Sequence, residues 1–512
     1  MRWLPLLLLA FVAGAPRAEA PDAAALRALA AAHTDAALAL YREFLALPND
    51  ANNSEDILRL VGWLEQRFDE LGFETTRLAT PGSPQLFAER RHPGARGTVL
   101  VYLQADGQPV DPAAWDQPDP YDPVLKARDA DGNWQALPWE RLAGERDPDW
   151  RIFARSASDS KGPMTQFMAA IRALDAAGHV PAYDLKVIID TEEELGSPHL
   201  AALIAEHRDR LAADLLLIFD GPPHASGAPT VSFGARGIMT VTLTTWGPER
   251  PQHSGHYGNY VPNPALSLAQ LLASMKSQDG RVLIPGFYDG VRLDDATREQ
   301  LRRVPDDEDR LLADLGVARP DNVAATLQEA LQYPSLNIRG LRSAWVGREA
   351  RTIIPASAIA EIDIRLVPET PHERLLGLLR EHVERQGFRV LPGPPDAAAR
   401  AAHPRLVTLE HSYSYPAFRS DMDAAAGRMA RAGMRHLYGR EPILIRTMGG
   451  SIPIAPFVDT LGLPAAAVAT VNIDNNQHSP NENIRLGDFI EGLSIMLAVL
   501  SSAPDATPSP GG

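Results

Sequence analysis

Leu185-Lys186-Val187-Ile188-Ile189-Asp190-Thr191-Glu192-Glu193-Glu194 places a short apolar run directly before a block of acids. A run of this length, broken only by Lys186, suits a strand buried on both faces, as in a parallel sheet. Similar runs occur at Val99–Leu103, Leu215–Phe219 and Ala465–Val471. Helical patterns lie between them. After Lys161, the residues Met164, Phe167, Met168, Ile171 and Leu174 fall at helical spacing and form one apolar face. Strand–helix alternation predicts an α/β domain with a mostly parallel central sheet.

The middle of the chain has a different period. Ile362, Ile364 and Leu366 alternate with Glu361, Asp363 and Arg365, and Val241 and Leu243 alternate with threonines. Strict alternation means a sheet with one wet face. With helices at Pro264–Met275 and His372–Gln386, this predicts a smaller α+β domain inserted at 236–418. The α/β domain then comprises 21–235 and 419–503. Residues 1–20 have a basic start, an apolar run from Leu4 to Ala13 and the small-residue pattern Ala18-Glu19-Ala20, and are expected to be a secretory signal peptide. Export to a bacterial periplasm or the medium follows. The Pro/Ser/Gly-rich end, 504–512, is expected to be a disordered tail. No later run is long and apolar enough for a membrane span, so the processed chain is expected off the membrane.

The chain has 49 Lys+Arg against 65 Asp+Glu, a net charge of −16, which argues against nucleic acid as a partner. It has no cysteine, so a zinc site here must use histidine and carboxylates. Acids gather at strand ends. Val99–Leu103 leads to Asp106, Leu185–Ile189 to the Asp190–Glu194 block, Leu215–Phe219 to Asp220, and the run from Ala465 onward to His478. Asp159 stands just before the helix that starts near Lys161. Ligands of open α/β sheets bind at the carboxyl ends of the strands. Converging acids repel one another, and a divalent cation removes that cost.

Several motifs resemble, in order, those of the M20 metallopeptidases, especially the carnosinase-like dipeptidases and the carboxypeptidase G type. They are Gln104-Ala105-Asp106-Gly107-Gln108-Pro109, Asp159-Ser160-Lys161-Gly162-Pro163, Glu193-Glu194-Leu195-Gly196-Ser197, His253-Ser254-Gly255, Ile364-Arg365-Leu366-Val367-Pro368, Gly449-Gly450-Ser451-Ile452-Pro453 and His478-Ser479-Pro480-Asn481-Glu482. The resemblance implies a zinc-peptidase-like catalytic domain and a ferredoxin-like lid that also makes a homodimer. It implies one or two zinc ions, with manganese or cobalt as alternatives. Asp159 would bridge two metals, Glu194 and His478 would complete one site, and Asp220 would serve the other. Glu193 would be the general base, Asp106 would orient a metal-binding imidazole, and His253 would act in the partner subunit's site. Arg365, with the Gly450 and Ser451 backbone, would hold the substrate's carboxylate. The implied activity is hydrolysis of the amide bond in a dipeptide or N-acyl amino acid, by a metallopeptidase or amidohydrolase.

Two departures stand out. Gln104 occupies the place of the first metal-binding histidine, so its metal site is weakened, with His224 as a substitute ligand. Thr447-Met448 replaces an Arg-Glu pair, with Arg446 shifted by one. The Gln104 departure leaves open a second function: an exported, catalytically impaired relative that binds peptides or amino acids. Plainer roles also stand beside the proposed ones. Asp159 could cap a helix, Asp220 could form a turn, Gln104 could be a bystander, His253 could be a surface histidine, and Arg365 could pair with Asp363 or Glu361 across the sheet face.

Overall fold

The computed structural model describes residues 21–504. The expected signal peptide and all but the first residue of the expected tail lie outside that range. Among the described residues no helix is long and apolar enough to cross a membrane.

The central sheet has eight strands. Its middle is parallel: Asp184–Asp190, Thr98–Gln104, Leu215–Phe219 and Ala465–Val468 lie side by side. Glu74–Leu78 and Gln85–Arg90 extend one side antiparallel, and Thr230–Ser232 joins antiparallel on the other. The Leu215–Phe219 strand is buried at every position, as a strand sandwiched between helix layers must be. One face carries the helices Lys161–Ala176, Ala425–Tyr438 and Leu486–Leu500 over a single large core. The opposite face packs on Leu200–Glu206 and Ala455–Leu461. The last parallel strand stops at Val468 instead of running to Val471. The backbone N–H of Thr470 is taken by Gly221 O, which pulls the chain out of the ladder toward the Asp220 loop.

A second sheet of five strands has its own core. The Gly237–Trp246 and Ser357–Leu366 strands alternate buried and half-buried residues along their whole length, the pattern expected of one wet face. Pro264–Met275 and His372–Arg385 pack on the buried face through Leu268, Leu271, Leu375 and Leu379. Four of the strands follow the order strand, helix, two strands, helix, strand, which is the ferredoxin-like arrangement, and the short Arg389–Leu391 strand adds a fifth at the edge beside Leu406–Tyr415. The two connections between the cores run side by side, where Gly234–Ala235 pairs with Phe418–Arg419.

Two features carried no sequence signal. The helices Asp295–Arg302, Glu308–Leu315 and Leu327–Ala330 form an insert before the Ser335–Arg342 strand. A four-stranded sheet joins Asn483–Arg485 to Arg151–Phe153, Val124–Arg128 and Trp134–Leu137. That small sheet ties the segment leading into Asp159 to the segment following His478.

Candidate metal and active site

The parallel strands end on one edge, and the acids gather there. Asp159, Glu194 and His478 each offer one ligand atom, and these atoms lie within 4.8 Å of one another. His478 Nε2 is 2.9 Å from Asp159 Oδ2 and 3.3 Å from Glu194 Oε2. Asp159 is no helix cap, since the cap position is Ser160 and no side chain serves it. Asp220 is more than a turn residue. Its Oδ1 accepts from Ser160 Oγ at 3.0 Å, and the same hydroxyl lies 3.0 Å from Asp159 Oδ1.

Asp190 organises the acid turn. It accepts from Tyr102 Oη, Ser197 Oγ and the Glu192 N–H. Glu192 leaves the site, turning to the Ser83 N–H and His199 Nδ1. Glu193 is half-buried and feels the charges of Asp159, Glu194, Asp106 and Asp220. Asp106 accepts the Glu194 N–H at 2.9 Å through Oδ2, so it positions Glu194 rather than an imidazole. Its other oxygen, Oδ1, is buried with no partner.

Gln104 turns its amide nitrogen to Asp159 Oδ1 at 3.2 Å and Asp220 Oδ2 at 3.3 Å. It therefore bridges two acids as a donor, which differs from the ligand role expected of it. His224 is no substitute, because its Nε2 pairs with Asp306 Oδ1 at 2.9 Å and its Nδ1 faces Ser226. The physical cause is the insert, which covers the His224 loop and supplies that acid.

The electrostatics follow from burial. Glu194 is pushed up to about 7 by desolvation and then by the Asp159 charge. Desolvation and Asp159 also push Asp220 up to about 7. Glu193 is raised well above the carboxylate range by burial and its acidic neighbours. Burial would also raise Asp159, but His478, Ser160 and Gln104 outweigh it and hold that carboxyl low. His478 is raised to about 9, chiefly by its hydrogen bond to Asp159. Several buried acids thus share one imidazole and a partnerless oxygen. Carboxylates with one imidazole are a normal donor set for zinc, and a divalent cation would offset their repulsion.

A buried acid outside the expected set holds the loop. Glu482 accepts from the N–H groups of Ser156, Ser158 and Asp159 and from Arg155 Nη1, all at 2.8–2.9 Å. It lies inside the quoted His478-Ser479-Pro480-Asn481-Glu482 motif, which was the available signal. Gln108, in the first motif, donates to Glu194 Oε2 at 2.8 Å.

Arg365 reaches the Gly449–Ser451 loop, donating to Ser451 Oγ at 2.8 Å. It pairs with neither Asp363 nor Glu361, which accept from Asn337, Thr242 and Arg339 instead. Gly450 is exposed at the centre of that loop. Tyr415 was not expected here. Its Oη is 3.4 Å from Ser451 O, and Glu193, Glu194 and Arg365 all act on its phenol, which burial pushes up to about 12. Arg446 is directed away from the loop, sharing Gln332 Oε1 with Thr447. His253 is not brought to the acids within this chain. It lies exposed in the Gln252–His253 ribbon and its Nδ1 accepts from the Gly255 N–H.

Fold and donor set define a hydrolase of the metallopeptidase class. Residues 122–502 match Peptidase family M20/M25/M40, and the chain belongs to that family. It is 26% identical over 437 residues to the Cys-Gly metallodipeptidase of Schizosaccharomyces pombe, covering 84% of each chain. It is 24% identical over 490 residues to the Beta-Ala-His dipeptidase of Homo sapiens, covering 91% of this chain and 90% of that one. A solved M20 family metallo-carboxypeptidase from Sulfolobus solfataricus superposes with a TM-score of 0.74 at 27% identity, over 91% of this chain and 99% of that one.

Proposed function

We propose that this chain hydrolyses the amide bond of dipeptides, or of N-acyl amino acids, that carry a free carboxylate. The observation that carries this is the meeting of Asp159, Glu194 and His478, with the half-buried Glu193 in the same acid cluster. The dipeptidase names of two relatives support the substrate class. Asp159, Glu194 and His478 would hold one divalent cation, and Asp220 with Asp159 a second. Bound there, such a cation would supply Lewis-acid chemistry, polarising the amide carbonyl and acidifying water. Glu193 takes a proton from the attacking water and returns it to the leaving amine, a role for which a raised carboxyl is suited. Arg365 and Ser451 orient the substrate by its carboxylate. His253 of the partner subunit donates to the developing negative charge on the carbonyl oxygen. The exposed Ile338, Leu341, Trp345 and Val346, on and just beyond the Ser335–Arg342 edge strand, support a dimer through the smaller domain. The leader-like residues 1–20 support export.

Gln104 favours a second function, a metal-poor binder of peptides, because it donates where a ligand was expected. The discriminating test is Glu193→Gln, assayed on dipeptides with zinc, manganese or cobalt. The expected loss in kcat is roughly 10²–10⁴-fold with metal content retained. Full activity in that variant refutes the base assignment, and no turnover by the unsubstituted protein with any of the metals favours the binder.

A further inference from the structure

Arg236 follows the Gly234–Ala235 ribbon, where the chain passes from one core to the other. Its Nε donates to Gly449 O at 3.1 Å. Arg365 reaches the other end of the same loop through Ser451 Oγ at 2.8 Å. A Cβ at position 449 would lie 3.6 Å from Arg236 Nη2, so the guanidinium packs directly on the loop. Burial, and then the Arg365 charge, push Arg236 down to about 10, so the two groups feel each other.

Neither guanidinium forms an ion pair among the described residues. Asp363 acts on Arg236 only at longer range, and its Oδ1 accepts from Asn337. Two half-buried cations facing one loop repel, and an anion placed between them recovers that cost. Arg236 also borders a cavity of about 150 Å³, lined as well by Lys276, Tyr288, Asp321 and Leu331, so it is not packed against protein on every side.

We propose that Arg236 is the second arm of a carboxylate clamp, sharing the C-terminal carboxylate of the substrate with Arg365. Each carboxylate oxygen then has its own guanidinium, a geometry an amide or ester end cannot satisfy. Specificity for a free carboxylate is thus set by two arginines held at the two ends of the loop. This rests on the dipeptidase function proposed above.

The test compares kcat/KM for a dipeptide and for the same dipeptide amidated at its C-terminus. Arg236→Met is expected to lower the acid-over-amide ratio at least roughly tenfold, chiefly through KM. Arg236→Lys should keep part of the ratio, whereas Arg236→Gln, which can still donate to Gly449 O, should not. If Gln restores the ratio and Lys does not, Arg236 merely braces the loop and the proposal is overturned. It is also overturned if Arg236→Met folds, by circular dichroism, and leaves the ratio unchanged while Arg365→Met collapses it. Should Arg236→Met not fold, the Lys and Gln pair decides alone. A failure of the functional proposal looks different: the unsubstituted protein cleaves neither compound, or Arg365→Met also leaves the ratio intact.

Discussion

At the scale of single residues, the site depends on carboxylates that are costly to bury. The Arg155–Glu482 pair shows how that cost is met. Arg155 is 3% exposed and Glu482 1%, and the acid accepts three backbone N–H groups besides the guanidinium. Burying such a pair contributes little net stability, but breaking it leaves a charge with no partner. Glu482→Gln is therefore expected to cost roughly 3–5 kcal/mol, measured by urea unfolding. The same change should weaken metal binding in a chelator titration, because Asp159 loses the anchor of its backbone. A stability loss under 1 kcal/mol would contradict this account. The strand-end acids were legible from sequence, because an apolar run followed by acids has one physical reading in an α/β sheet. The motif at His478 marked Glu482 without giving its role, and nothing marked Arg236, since no periodicity reveals a residue whose partners are remote backbone groups.

At the scale of elements, close packing behind the sheet sets the positions of the strand ends. Helix Ala425–Tyr438 crosses Leu486–Leu500 at Gly433, where a Cβ would meet Val499 Cα at 2.6 Å and Ala498 O at 2.7 Å. Alanine gains about 1 kcal/mol of helix propensity over glycine. Overpacking against backbone costs roughly 1–3 kcal/mol, and with two backbone atoms this close the clash wins. Gly433→Ala is expected to lower the melting temperature, and a rise would show that the helices separate freely. Strands buried on both faces and the half-wet strands of the smaller domain were legible because each has one hydrophobic period. The small sheet of Arg151–Phe153 and Asn483–Arg485 was not. Its strands of three residues are too short to show a period, and they are joined by pairing of residues 330 to 334 positions apart.

At the scale of the whole molecule, the role proposed for His253 makes the site depend on a second chain. It lies exposed on the smaller domain, away from the acids of its own chain. If two chains pair through that domain, mixing inactive His253→Ala with inactive Glu193→Gln restores one good site per mixed dimer, about a quarter of normal activity for random exchange. No recovery, with mixed dimers present by native mass spectrometry, would place His253 outside the reaction. By itself the sequence determined the kinds of elements, the acid-rich strand ends and the absence of thiolate ligands, because hydrophobic period and residue chemistry are local properties. Only the tertiary structure decided that His478 comes to Asp159 from 319 residues away, that Gln104 bridges two acids as a donor, and that His224 is taken by Asp306. Those outcomes depend on which loops the packed cores bring together, and contact between distant side chains is set by packing that no local pattern encodes.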